Sequence, residues 1–459
     1  MTELSILAAA EEFPEMPCLI AHGEVYSYAQ IAARSAALID RLASAGLEPG
    51  DRVALIPRAD VDSIVSLFAL FEIGCPALLV HPRLTGRERE QVLASAGEPP
   101  TIDPYAPTPT IATLPVHAPV PEDRTLAIVY TSGSRGAPRG AKLSRRAFLA
   151  SARAHRDHLG WLPDDRWLLA MPPAHVGGLS ILSRSLIARS CVVVASGPFE
   201  PAAILDLLEQ QRVTLMSLVP TMLQRLLDAD PTWSPPPFLR AVLVGGAPFP
   251  EALRQRAVAR QIPALATYGC TEACSQVATQ SPSEIGQPGS GRPLQGIEVR
   301  IEGAEIQVRG EILMDGYLGE AQDGETWADG GWLRTGDQGR FLPDGQLQVL
   351  GRLDDRIVTG GENVSPLEVE AWLETLVGIS SACVFGVPDP SWGEVVAAAI
   401  AIEPALFDFE ILRDAIRSGL AGHKRPRRIA VLDELPLNRS GKVDRARVLS
   451  LASTRFRSV

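Results

Sequence analysis

The chain has 459 residues, 46% hydrophobic and 21% charged, which excludes an intrinsically disordered protein and leaves room for roughly two to four domains. Its 43 basic and 54 acidic residues give a formal charge of −11, a poor balance for holding nucleic acid or an anionic membrane surface. The most apolar long stretch, residues 63–80, is interrupted by Glu72, Gly74 and Pro76, so it reads as helix, turn and strand and not as a membrane span.

In chain order, Ile31, Leu38 and Leu42 fall on one helical face and Gly46 follows as a stop signal. Short continuous apolar runs then recur at 53–56, 126–130, 191–194, 215–219 and 241–244. Such runs fit strands buried on both faces, with helices between them, and hence parallel sheets. Two Pro-rich stretches, 99–121 and 231–237, read as surface connections. From Gly296 the period changes to two: Ile297, Val299 and Ile301 alternate with Glu298, Arg300 and Glu302, and residues 305–313 repeat the pattern. That alternation predicts half-exposed antiparallel strands. After residues 351–355 the rhythm restarts as helix (366–376), strands (382–387, 395–402), helix (409–420) and strand (429–432). The expected fold is therefore α/β: a large N-terminal body over 1–353 of parallel β/α layers, with a small antiparallel β subdomain at about 296–350, then a small α+β domain over 354–459.

The start of the chain, Met1-Thr2-Glu3-Leu4, has no basic run ahead of an apolar one, so no secretory signal is expected and the cytoplasm is the expected location. The six cysteines are scattered, with no CxxC, and read as buried filler. Of the 43 basic residues only Lys142, Lys424 and Lys442 are lysines. A lysine kept in so arginine-rich a chain can mark a place where a guanidinium will not replace a compact ammonium; chance survival explains it equally well.

The densest chemical signal is the segment 130–140, Tyr-Thr-Ser-Gly-Ser-Arg-Gly-Ala-Pro-Arg-Gly, directly after a predicted buried strand. Glycines let a backbone approach a polyphosphate, hydroxyls donate to its oxygens, and arginines neutralise its charge. It is not a Walker loop, since no Gly-Lys-Ser/Thr stands at the required spacing. Four more segments follow: Thr267 to Glu272, Leu333 to Asp337, Gly351 to Arg356 with Gly360 to Val364, and Leu435 to Lys442. Singly each could be a turn. Together, in this order, they resemble the adenylate-forming superfamily of acyl-CoA synthetases, peptide-synthetase adenylation domains and luciferases, across nearly the whole chain.

That resemblance implies a two-step ligase using ATP, Mg²⁺ and coenzyme A, with a mobile C-terminal domain. Thr131, Ser132, Gly133, Ser134, Gly136 and Arg139 would form the phosphate loop. Gly245, Gly246 and Ala247 would line the adenine, with Tyr268 stacked on it and Gly269 beside it. Thr271 would meet the α-phosphate and Glu272 the metal. Asp337, helped by Arg352, would accept the ribose hydroxyls. Lys442 would bridge carboxylate and α-phosphate. Asp354 would be the hinge, and Gly360 and Gly361 would let pantetheine pass. Two positions depart from the pattern: Arg135 replaces a small hydroxyl residue and Arg139 a lysine.

Within the superfamily, residues 175–180 and 219–227, the continuation of Tyr268 to Ser281, and Gly360-Gly361-Glu362-Asn363 are most similar to the o-succinylbenzoate–CoA ligases of menaquinone biosynthesis. Benzoate-type ligases share the last segment, and Gly177 stands where a serine is common. His175, counted with Lys442 and Glu272 as catalytic, would also join Gly177, Gly178, Arg225 and Ser275 at the acid. His175 could equally be a loop residue, and Arg225 could lie on a solvated helix face. The implied partners are an aryl or dicarboxylic acid, no nucleic acid and no membrane insertion, with a homodimer as the candidate assembly. The rival readings are an adenylation enzyme loading a carrier protein and a nucleotide-binding protein without catalysis.

Overall fold

The computed structural model describes residues 3–107, 114, 117–131, 138–320, 324–439 and 441–458. Among the described residues, a nine-stranded sheet runs in spatial order Arg292–Pro293, Ser275–Thr279, Ala264–Cys270, Ala241–Gly245, Leu215–Leu218, Arg166–Leu169, Cys191–Val194, Pro17–Ala21 and Glu24–Ser27. Its interior pairs are parallel and its outermost pairs antiparallel. A four-stranded sheet packs nearby: Val53–Leu55, Ala77–Leu79 and Thr125–Thr131 run parallel, and Arg139–Ser144 returns antiparallel. The continuous apolar runs are these inner strands, and every residue of Cys191–Val194 is buried. Residues 63–80 form helix Val61–Ile73, a left-handed Gly74 and strand Ala77–Leu79. The edge hairpin Pro17–Ala21/Glu24–Ser27 is the part the apolar pattern does not announce, because its second strand is largely exposed.

The alternating region is a five-stranded sheet whose long members, Ile297–Glu302, Glu305–Gly310, Trp332–Phe341 and Leu347–Arg352, pair antiparallel. Beyond it lies a six-stranded sheet built on the hairpin Ile379–Asp389/Gly393–Ile402, flanked by helices Pro366–Leu373, Phe409–Gly419 and Arg445–Ala452. The apolar clusters of the body end at Val349, and those around the last sheet begin at Ile357. The chain thus carries two separately filled cores. All six cysteines are free, and all but Cys270 are buried.

Candidate active site

Three parallel strands, Leu215–Leu218, Ala241–Gly245 and Ala264–Cys270, end on the same side of the large sheet, and the predicted residues gather there. The carboxyl ends of parallel strands are where open α/β sheets bind ligands. Tyr268 is buried in the third strand and donates its hydroxyl to Asp337 Oδ2 at 2.7 Å. Asp337 lies directly opposite Arg352 in the antiparallel ladder, and Arg352 Nη1 donates to Asp337 Oδ1 at 2.9 Å. The Asp337 backbone N–H donates to Thr335 Oγ1 at 3.0 Å. Burial, then the Asp337 charge, pushes the Tyr268 phenol up, so it stays a donor. A carboxylate held by a neutral donor on one oxygen and a cation on the other keeps lone pairs for further hydroxyls.

Gly269 admits nothing larger. A Cβ there would lie 1.5 Å from the Ser275 carbonyl oxygen, because the chain folds back at a bulge between the two strands. That turn carries Thr271 and Glu272. Tyr317 donates its hydroxyl to Glu272 Oε1 at 2.8 Å, and the Arg139 guanidinium stacks 3.6 Å over the Tyr317 ring while Arg139 Nε donates to Glu320 at 2.9 Å. Arg139 thus faces the predicted metal carboxylate through an aromatic ring. Thr131 ends its strand opposite Arg139. Ser132, Gly133, Ser134, Arg135 and Gly136 lie outside the described residues. Among the described residues no group of three or more His, Cys, Asp or Glu could enclose a metal. Mg²⁺ is commonly held by one or two carboxylates together with substrate phosphates, and Glu272 is the carboxylate on this turn. Tyr317 was not foreseen; an aromatic between Gly316 and Gly319 is the signal that was available.

Lys442 reaches this site from the other core. A Cβ on Gly246, whose φ is +77°, would sit 3.6 Å from Lys442 Nζ. Burial lowers the lysine's pKa, the Asp337 carboxylate opposes that, and Arg352 adds to it. Gly245 is packed so closely that a Cβ would meet the Thr267 carbonyl oxygen at 2.7 Å, and Ala247 follows on the same turn. His175 caps the helix Val176–Ala188, its N–H donating to the Pro172 carbonyl at 3.0 Å. Burial, with His81 and Lys442 nearby, holds its pKa down to about 3. The His81 ring lies 4.7 Å away. His81 Nδ1 accepts the Arg83 N–H at 3.1 Å, so its proton sits on Nε2, which is buried and has no partner among the described residues.

On the acid side, Gly178 packs against the preceding turn: a Cβ would lie 2.4 Å from the Pro172 carbonyl oxygen. Gly177 faces Met171, and Ser180 Oγ donates to Ser275 Oγ at 3.3 Å. Arg225 does not join this group. Met222, Leu223, Leu226 and Leu227 take the buried face of helix Pro220–Ala229, so Arg225 points outward and donates to the Phe199 carbonyl at 2.8 Å. Of the two expectations for Arg225, the solvated helix face is the one it occupies here. A different arginine is buried here: Arg184, two turns beyond Gly177, is 2% exposed. Its Nη2 donates to Ser151 Oγ at 2.8 Å and its Nη1 to Gln276 Oε1 at 2.5 Å, while Nε is buried without a partner among the described residues. Burial lowers its pKa to about 10. Gly360 and Gly361 close the hairpin Ile357–Thr359/Glu362–Val364 at the far edge of the C-terminal sheet, with Gly360 against Trp392 and no atom within 4 Å of a Cβ on Gly361. Asp354 lies exposed between the two cores.

The AMP-binding enzyme profile matches residues 6–102 and 98–319, and the AMP-binding enzyme C-terminal domain profile matches 368–442. The chain belongs to the AMP-binding enzyme family, the adenylate-forming acyl-CoA ligases. It is 34% identical to the 2-succinylbenzoate–CoA ligase of Bacillus pumilus, over 97% of both chains. It is 32% identical to the feruloyl-CoA synthase of an Amycolatopsis species, over 92% of this chain and 93% of that one. The structure of o-succinylbenzoate CoA synthetase from Bacillus subtilis, solved with its acyl-adenylate intermediate, superposes with a TM-score of 0.88 at 30% identity, covering 98% of each chain. The same synthetase solved with ATP and magnesium ion gives 0.87. Among the described residues no helix is long and apolar enough to cross a membrane.

Proposed function

We propose that the protein joins 2-succinylbenzoate to coenzyme A in menaquinone biosynthesis, in two steps. The acid's carboxylate oxygen attacks the α-phosphorus of ATP, forming acyl-adenylate and expelling pyrophosphate. The coenzyme A thiolate then attacks the acyl carbon, and AMP leaves as the thioester forms. The observation that carries the first step is Lys442 Nζ brought beside Gly246, in the field of Asp337 and Arg352. A preorganised cation is worth most where negative charge piles onto a phosphate already facing a carboxylate. Asp337, with Tyr268 and Arg352, would take the ribose. Thr271 would meet the α-phosphate. Glu272 would hold Mg²⁺, which supplies charge neutralisation at the polyphosphate. Neutral His175 and His81 add no charge beside Lys442. In the second step the small domain would turn about Asp354 to bring Gly360 and Gly361 to the site. The two separately filled cores, meeting near Asp354, support this division. Supplies of ATP and coenzyme A suit a cytoplasmic setting.

The choice of acid rests on Arg184 and on the relatives. Among the described residues no carboxylate pairs with Arg184; a buried guanidinium in that state is costly to keep, and an anion offered through the site offsets that cost. In 2-succinylbenzoate the succinyl carboxylate is activated and the ring carboxylate remains free to meet this field, directly or through water. The test is kcat/KM for 2-succinylbenzoate, ferulate, benzoate and octanoate, with coenzyme A, in wild type and Arg184→Gln. The expected order places 2-succinylbenzoate first, with its KM raised about tenfold or more by the substitution and that of benzoate little changed. A monocarboxylic aryl acid as the best wild-type substrate replaces this reading by a ferulate- or benzoate-type ligase. Pyrophosphate release without use of coenzyme A points to a carrier-protein acceptor.

A further inference from the structure

The loop that carries Lys442 touches the body through more than the lysine. Arg439 forms an ion pair with Glu88, 351 positions away, on helix Gly86–Ser95. Arg83 Nη1 donates to the Arg439 carbonyl at 3.3 Å, and Thr221 Oγ1 donates to the Gly441 carbonyl. Inside the loop, Lys442 N–H donates to Asn438 Oδ1 at 3.1 Å, so a loop seated at Arg439 and Gly441 has its lysine aimed.

We infer that the Glu88–Arg439 pair is a positioning latch that seats the lysine loop for adenylation and must break before thioester formation. The inference rests on the two-step reading above and adds residues that never touch substrate. Glu88 is preset for the task. Its Oε2 accepts the Thr85 N–H at 2.8 Å and Oγ1–H at 2.7 Å in a capping box, which fixes the carboxylate before Arg439 arrives. Arg439, the Thr85 hydroxyl and that amide together hold the Glu88 carboxyl down to about 2, so it is an anion at any working pH. Both side chains are a little over a third exposed, 38% and 37%. Exposed pairs are weak and screened by salt, which suits a contact made and broken once per turnover.

The test uses Glu88→Gln and Arg439→Gln. Glutamine keeps the capping-box carbonyl and removes only the charge, so the helix start survives. Each variant should slow single-turnover pyrophosphate release roughly two- to fivefold at low salt, the size of an exposed ion pair. Thioester formation from preformed acyl-adenylate should not slow. The difference from wild type should vanish near 0.5 M salt, and the double variant Glu88→Gln/Arg439→Gln should lose no more than either single variant, because both remove the same pair. Amide exchange over residues 436–444 should rise in both single variants. Equal slowing of both half-reactions, an unchanged first half-reaction, or single-variant losses that add in full in the double variant overturns the latch. If wild type adenylates no acid at all, the functional reading fails, and amide exchange alone decides the latch: faster in the variants upholds it, unchanged removes it.

Discussion

Tyr268, Asp337 and Arg352 sit on strands whose ladders fix them, whereas Lys442 sits on a loop held to the body by a few polar contacts. Asp337 cannot move without breaking its register with Arg352, and Tyr268 cannot move without unzipping the strand against Ser275–Thr279. Among the described residues, the contacts that the Lys442 loop must give up to leave include the Arg439–Glu88 pair and the bonds to the Arg439 and Gly441 carbonyls. The apolar clusters respect the same boundary, since none spans residues 349 to 357. On the two-step reading proposed above, one half of the site is permanent and the other visits. A difference in how residues are anchored therefore becomes a difference in which half-reaction they serve.

Lys442→Ala should break that comparison open most widely. Removing the cation beside Gly246 should slow pyrophosphate release by about 10²–10³-fold, the usual loss for one preorganised donor. Thioester formation from preformed acyl-adenylate should be largely spared. Rapid-quench rates for each half-reaction measure both, and equal losses would mean that the lysine never leaves. Asp337→Asn should act on both halves. It removes a carboxylate that Tyr268 and Arg352 both hold and leaves an amide nitrogen facing one of two donors. A charge-assisted contact of this kind is worth about 1.5–3 kcal/mol, so KM for ATP should rise roughly tenfold or more and adenylate binding should weaken in parallel. Loss confined to one half-reaction would place Asp337 with the visiting group.

The permanent half was the more legible in sequence. Continuous apolar runs name strands such as Cys191–Val194 because a strand buried on both faces needs no polar side. The period-two stretch from Ile297 named the antiparallel sheet for the opposite reason, because a strand with one face outward alternates apolar and polar residues. Lys442 stood out because lysine is so rare here. What stayed hidden depends on contacts between distant segments. The Glu88–Arg439 pair joins residues 351 positions apart, and Arg184 looks in sequence like any charged residue in a helix. For Arg225 two readings were left open, and its neighbours favour the solvated one. Apolar Met222, Leu223, Leu226 and Leu227 define one helix face and leave position 225 outside it.

The smallest expected effect concerns the visiting domain's own stability. Glu374 follows helix Pro366–Leu373 and accepts the Ala382 N–H at 3.1 Å. Burial raises its carboxyl from 4.5 to about 7, the Ala382 hydrogen bond opposes the shift, and the Glu370 charge adds to it. Glu370 differs in being paired with Arg445, whose Nη2 lies 2.8 Å from it. A folded pKa above the unfolded one means that the native domain binds more protons between pH 4.5 and about 7. Its stability is therefore highest below that window, falls as pH rises through it, and is flat above. Glu374→Gln keeps a carbonyl for the Ala382 amide and has no charge to bury. It should stabilise the C-terminal sheet at pH 8 by on the order of 2 kcal/mol and make no difference near pH 4.5. Amide exchange in the hairpin Ile379–Asp389/Gly393–Ile402 reads this domain alone, without assuming that the two cores unfold together. Equal protection of wild type and variant at pH 8 would mean that water reaches Glu374 freely and that its carboxyl titrates in the folded domain as it does in the unfolded chain.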